Sequence, residues 1–325
     1  MESRLWYMNA DFEAELEHWA FAPGRAYRRR ASFEALNRRL SERLLWLARG
    51  GDALLAEEPW AETLVNEARA RGVELISPAR AESQSQRLFT PWGWTPSALR
   101  VGEGVGASVE PLPFGVVARV NSKRWSHALE VELGVAIEGA AAVSTLEELN
   151  EAARRACPGA GDKWVVKSPY GFAARERVLG RGPAVGGAQA AWVSKRLARG
   201  ETLIFQPWLE VLREYGVVAE VGRDGSHTVL GVSDLRTNGA GTGTGYVLGR
   251  PPSPGRMKEL GGVASAVCRR LYAEGYRGPV GVDAIEHARG LHPLLEVNAR
   301  YTMGFIAVAV ERATKPAEPV FWPVK

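Results

Sequence analysis

The chain has 325 residues, 46% of them hydrophobic and 24% charged, with a formal net charge of +4. That length allows two or three domains with an ordinary soluble balance. The charge is too mild to imply nucleic-acid binding, and no apolar run approaches the ~20 residues of a membrane span. Cys157 and Cys268 are the only cysteines and form no CxxC pair. They disfavour a disulfide scaffold or a zinc site and suit a reducing compartment.

The opening "MESRLWYMNADFEAELEHW" has no basic n-region, apolar h-region or cleavage site, so a cytoplasmic location is expected. "RLWYMN" (4–9) is a short apolar run, followed from Asp11 by a helical pattern. Arg25, Arg28, Arg29 and Arg30 form the one basic cluster. It reads either as a solvated stretch before a helix or as a patch for an anion. "SFEALNRRLSERLLWLARGG" (32–51) has helical spacing and stops at Gly50–Gly51. "DALLAEE" and "VELIS" read as strands around a helix that starts near Pro59. Strands alternating with helices predict a parallel open sheet over residues 1–112. Thr95 before Pro96 predicts an N-cap. Trp92 and Trp94 flank Gly93 just ahead of it, as core residues or as a substrate wall.

"PFGVVARVNSK" (113–123) reads as a strand ending at Lys123, and "RWSHALEVELG" as a helix closed by Gly134. Ser144 with Glu147 three residues on makes a capping-box pattern. "KWVVKSPYGFAARERVLGRG" (163–182) reads as strand, loop, strand. A helix and the strand "ETLIFQPWLE" (201–210) follow. "EYGVVAEVGRDGSHTVLGVSDL" predicts a hairpin turning at Asp224–Gly225. "TNGAGTGTGYVLGRPPSPG" (237–255) reads as a long glycine-rich loop, and the next segment as a helix before two final strands.

Those strands, "VGVDAIE" (280–286) and "LHPLLEVNAR" (291–300), make a natural hairpin. Glu296, Asn298 and Arg300 alternate with Val297 and Ala299, so one face carries an acid, an amide and a guanidinium. Pairing Glu286 with Leu291 puts Asp283 opposite Leu294 and diagonal to Glu296, with a bulge at Pro293 as the one thing that would shift it. Two close carboxylates repel unless a cation lies between them. An all-oxygen set, Asp283, Glu296 and Asn298, suits Mg²⁺ better than zinc. The competing reading is a salt-bridged polar face open to water. Lys167 ends a buried-looking strand before a loop holding Gly171, which suits phosphate oxygens. Arg175 and Arg177 stand ready to assist. A solvated strand-end lysine is the plainer alternative. "LIFQPWLEVLREYG" brings Gln206 and Glu214 around a turn that suits a purine and its ribose.

Taken in order, these pieces resemble the ATP-grasp superfamily over about residues 113–304. The resemblance implies a mixed α/β (α+β) fold. An N-terminal Rossmann-like pre-ATP-grasp domain spans 1–112, and a connecting N-terminal part of the grasp 113–160. A lid spans 161–207, and a C-terminal antiparallel-sheet subdomain with the metal site 208–325. It implies that Lys123 and Lys167 neutralise ATP phosphates under a loop containing Tyr170, Gly171, Phe172 and Arg175. Adenine contacts fall on Gln206, Pro207, Trp208 and Leu209, and the ribose acid on Glu214, with Glu210 as rival. Asp283, Glu296 and Asn298 match the family's metal motif, and Arg300 its carboxylate or acyl-phosphate arginine. Ala173–Ala174 depart from the glycines that many members carry in the phosphate loop.

The implied activity is an ATP-dependent carboxylate–amine ligase, less often with a thiol. It forms an acyl phosphate and releases ADP and phosphate, with ATP and Mg²⁺ as cofactors and Mn²⁺ as an alternative ion. The partners implied are a small-molecule, amino-acid or peptide carboxylate and an amine, and a homodimer is the prior. Trp92, Trp94 and Arg236 are the candidate substrate-wall residues. The loop 237–249 is either a cover for the second substrate or plain disorder. A phosphotransferase on the same fold and a non-catalytic nucleotide-binding partner are the alternatives. A dinucleotide oxidoreductase is disfavoured, because "GEGVG" (102–106) and "GAGTG" (239–243) do not sit between a strand and a helix.

Overall fold

In the computed structural model, all residues are described except 1, 23, 82, 172–175, 239–240 and 325. The N-terminal part alternates β1 (Ser3–Tyr7), α1 (Phe12–Phe21), α2 (Ala31–Ser41), β2 (Ala53–Leu55), α3 (Glu62–Arg71), β3 (Glu74–Ile76), β4 (Arg87–Pro91) and α4 (Pro96–Gly104). Its strands form a parallel sheet in the order β3-β2-β1-β4. Leu5, Leu55 and Phe89 pack on one face with Ala98 of α4, and Trp6 and Leu54 pack on the other. Thr95 caps α4 as expected, its hydroxyl accepting from the Ala98 N–H. The long helix read over 32–51 ends at Ser41 and continues as a 3-10 turn, Glu42–Trp46.

The segment 113–123 is not a strand. It forms a short helix, α5 (Phe114–Val120), and Lys123 opens the next helix, α6 (Lys123–Glu132). A short apolar run does not distinguish the two states by pattern alone. Here Val117 and Val120, three apart on a helix, are buried into the clusters around Phe12 and around Tyr215. That burial decides the conformation.

The next sheet is antiparallel, in the order β5-β8-β6-β7. It contains β5 (Ala141–Val143), β6 (Lys163–Lys167), β7 (Arg177–Arg181) and β8 (Leu203–Pro207), with α7 (Leu146–Ala156) and α8 (Gly187–Leu197) against it. The capping box of α7 lies one residue later than its sequence suggests. Thr145, not Ser144, is the N-cap, accepting from the Glu148 N–H, while the Glu148 carboxylate accepts from the Ser144 N–H.

The third sheet has six strands in the order β13-β12-β9-β10-β11-β14. These are β9 (Val211–Val221), β10 (His227–Thr237), β11 (Gly243–Leu248), β12 (Gly278–His287), β13 (Gly290–Asn298) and β14 (Val320–Pro323). Helix α9 (Pro254–Ala273) covers one face through Leu260, Ala264 and Val267. Helix α10 (Met303–Thr314) packs Phe305 and Val308 on Val218, and Ile306 and Val310 on the cluster around Trp6. It therefore ties this sheet to the N-terminal one. The glycine-rich segment read as loop is strand over Gly243–Leu248. Gly245 is required there: a Cβ on it would lie 2.5 Å from Phe321 and from the Trp322 carbonyl of β14.

Candidate active site

The three sheets enclose a cleft of about 1080 Å³. Its floor is the β9–β12–β13 face. Gly216, Asp283 and Glu296 lie side by side across those three strands. The predicted hairpin register holds at Glu286–Leu291 and is then lost. Between Ile285–His292 and Asp283–Glu296 the ladder is irregular, with two extra residues in β13 around Pro293. Proline donates no ladder hydrogen bond, so pairing breaks there. A two-residue slip keeps every side chain on its face, and Asp283 becomes directly opposite Glu296 rather than diagonal to it. Val297 and Ala299 pack behind into the core, as the alternation required.

Lys123 reaches this floor from the first residue of α6. Its Nζ donates to Glu296 Oε1 at 2.7 Å and to the Gly171 carbonyl at 2.5 Å. Its own backbone N–H donates to Pro169, tying α6 to the loop after Lys167. Asn298 Nδ2 donates to Asp283 Oδ2 at 3.1 Å. Asn298 Oδ1 accepts from Arg300 Nη2 at 3.2 Å, and the same guanidinium is paired with Glu13 of α1. Burial, then repulsion by Glu296, pushes the Asp283 carboxyl up to about 7. Burial pulls Lys167 down to about 8, opposed by Glu296 and reinforced by Lys123.

The donor chemistry suits a divalent cation. Asp283 and Glu296 face each other, and among the described residues the direct hydrogen bonds to them come from Lys123 and the Asn298 amide. The oxygen set contains only two carboxylates. Among the described residues no group of three or more His, Cys, Asp or Glu side chains is arranged to hold a metal.

At the other end of the cleft lie Gln206, Pro207, Trp208 and Leu209, and Glu214. Glu214 Oε1 accepts from Thr237 at 2.5 Å, and burial raises its carboxyl. The rival Glu210 is exposed and does not line the cleft. Arg177 lines it and lies over the Trp208 ring. Tyr170 points elsewhere, its hydroxyl on the Ala118 carbonyl. Phe172 and Arg175, with Ala173–Ala174, lie outside the described residues.

The substrate-wall candidates divide. Trp92 lines the cleft. Trp94 does not: it packs edge-on against Phe89 in the N-terminal core and borders a second cavity. Arg236 is also absent from the wall. On β10, Ser233, Leu235 and Thr237 face the cleft, so alternation sends Arg236 to the face where Asp234 binds Arg213.

Sequence reasoning missed Glu13 and Arg39, which line the far end. The available signal was position: Glu13 follows the carboxyl end of β1, where open α/β sheets bind ligands. It also missed a buried group formed by His127, Glu130 and His292. Glu130 Oε2 lies 3.7 Å from His127 Nδ1 and 3.9 Å from His292 Nε2. Among the described residues, none of these three atoms has a hydrogen-bond partner. Burial raises Glu130, and burial followed by Lys167 pushes His292 down to about 4. The i, i+3 spacing of His127 and Glu130 on α6 was its only trace in the sequence.

The sequence matches no family model, and no curated protein matches it. Solved structures do share its fold. The biotin carboxylase domain of Hydrogenobacter thermophilus 2-oxoglutarate carboxylase, complexed with MgADP, ADP and bicarbonate, is 13% identical. It superposes with a TM-score of 0.58 over 97% of this chain and 70% of that one. N5-carboxyaminoimidazole synthetase from Staphylococcus aureus, complexed with ADP, is 11% identical with a TM-score of 0.53, over 81% of this chain and 68% of that one. The corresponding ribonucleotide synthetase from Thermus thermophilus is 20% identical with a TM-score of 0.51, over 81% and 69%. The chain has the ATP-grasp fold.

Proposed function

We propose that this chain is an ATP-dependent ligase that joins a carboxylate to an amine through an acyl phosphate, releasing ADP and phosphate. One observation carries the reading. Lys123, Lys167, Asp283, Glu296 and Asn298 line one cleft, in a fold whose solved examples hold ADP or MgADP.

In this reading the adenine lies against Gln206–Leu209 and the ribose against Glu214. Lys123 and Lys167 face the phosphates. Asp283 and Glu296, with Asn298 once its amide turns Oδ1 toward them, would hold Mg²⁺, which when bound offsets negative charge on the transferring phosphoryl group. Arg300, fixed between Glu13 and Asn298 with its Nη1 on the Tyr301 carbonyl at 2.8 Å, offers its fork to the reacting carboxylate. The carboxylate oxygen attacks the γ-phosphorus and ADP leaves. The amine then forms the C–N bond as phosphate departs.

The test is product analysis with ATP, Mg²⁺ and pools of carboxylic acids and amines, recording nucleotide products and new masses. ADP and phosphate are expected only when acid and amine are both present, together with a product of the condensed mass. ADP formed from one substrate alone would mark a phosphotransferase. AMP and pyrophosphate would exclude the acyl-phosphate route.

A further inference from the structure

The cleft continues past Arg300 to an end roofed by the N-terminal helices. Helix α2 turns Leu36, Arg39 and Leu40 toward it. These residues stand at i, i+3 and i+4, so they share one face of the helix, while Phe33, Asn37 and Ser41 are buried along the adjoining face. Met303 lines the same end. Once the charges assigned to nucleotide and metal are set aside, together with Arg177 over the Trp208 ring, three remain in the lining: Glu13, Arg39 and Arg300.

These three are not in the same state. Arg300 and Glu13 are paired, through one carboxylate oxygen. The second Glu13 oxygen has no recorded partner among the described residues, and neither has the Arg39 guanidinium. An acceptor therefore stands beside the reacting arginine, and a free fork stands with two leucines on one helix face. A guanidinium matches a carboxylate bidentately, and a carboxylate oxygen accepts from an ammonium.

We infer that the amine substrate is an α-amino acid with an apolar side chain. Its ammonium pairs with Glu13, its carboxylate with Arg39, and its side chain lies against Leu36, Leu40 and Met303. This rests on the ligase reading above. The ammonium loses one proton to Glu13. The freed nitrogen lone pair forms a bond to the acyl carbon, and the bond from that carbon to the phosphate oxygen breaks. Phosphate leaves with the electron pair and takes the second nitrogen proton.

The test is calorimetric titration of the full chain, preloaded with ADP and Mg²⁺, using four probes: L-phenylalanine, L-phenylalanine amide, phenethylamine and 3-phenylpropionate. L-phenylalanine is expected to bind about tenfold or more tightly than each of the others, since each lacks one charged partner. In Arg39→Ala its advantage over the amide should vanish, and Arg39→Lys should restore part of it. In Glu13→Gln its advantage over 3-phenylpropionate should vanish. Arg39 is exposed, so its variants should keep the fold, and circular dichroism checks this. Equal binding of amino acid and amide, or an unchanged ratio in Arg39→Ala, would overturn the inference. The preloading step separates the two readings. Failure of ADP to bind removes the nucleotide site itself, whereas ADP binding without amino-acid binding removes only this inference.

Discussion

Asp283 and Glu296 stand directly opposite each other across the β12–β13 hairpin, with Gly216 on the far side of Asp283. Asp283 is pushed up to about 7, first by burial and then by Glu296. An unfolded Asp titrates near ~3.9. Between those values the folded chain holds a proton that the unfolded chain has released, so this group's stabilisation is full below about pH 4 and is lost as pH rises through 7. In EDTA, the Tm of Asp283→Asn minus that of the wild type should therefore grow from pH 5 to pH 8. Mg²⁺ should shrink that difference. A difference independent of pH would contradict the pairing.

Lys167 should make nucleotide binding pH-dependent. Its ammonium is pulled down to about 8 by burial, against Glu296 and Glu130 and with Lys123 and Arg177. Charge on Lys167 is lost as pH rises through that value, so ADP affinity should fall between pH 7 and 9.5. Lys167→Gln should bind ADP more weakly at pH 7 and with a flatter profile. The stability sign is opposite: the unfolded chain keeps the proton up to ~10.4, so this group's contribution rises with pH across the window.

Arg300 should matter for turnover more than for nucleotide binding. Arg300→Lys keeps a charge and removes the planar fork held by Glu13, Asn298 and Tyr301. The expected loss in kcat is about 10²-fold, with ADP affinity within a factor of about three. Parallel steady-state assays and ADP titrations measure both. A variant that loses ADP binding as well would move Arg300 from the reacting group to the nucleotide.

The α7 cap tests a correction to the sequence reading. Thr145→Ala removes the hydroxyl that accepts from the Glu148 N–H and should cost about 1 kcal/mol. Ser144→Ala should stay within about 0.5 kcal/mol, because Ser144 serves the cap through its backbone N–H and its hydroxyl makes only an exposed 3.3 Å contact with Thr202. Urea unfolding of the two variants distinguishes them. Equal losses would restore Ser144 as the cap.

What the sequence made legible followed from local periodicity. The alternation in β13 placed Glu296 and Asn298 on the cleft face and Val297 and Ala299 in the core. The Asp224–Gly225 turn joined β9 to β10. The α4 cap was visible in Thr95–Pro96. What was hidden depends on distant partners. Helix α5 is helical because Val117 and Val120 meet residues from two other clusters. Strand β11 exists because β10 and β14 flank its glycines. The direct opposition of Asp283 and Glu296 depends on an irregularity at Pro293 whose size no spacing gives. Glu13 and Arg39 belong to helices far away in sequence, and only the assembled cleft brings Glu13 to Arg300 and Arg39 into the same lining.

The most direct measurement is the Mg²⁺ dependence of ADP binding, by calorimetric titration into the wild type and into Glu296→Gln. If Asp283, Glu296 and Asn298 hold the metal beside the phosphates, Mg²⁺ should tighten ADP binding to the wild type by about tenfold or more. It should leave Glu296→Gln almost unchanged. ADP binding that ignores Mg²⁺ in the wild type, or a full Mg²⁺ response in Glu296→Gln, would contradict the account.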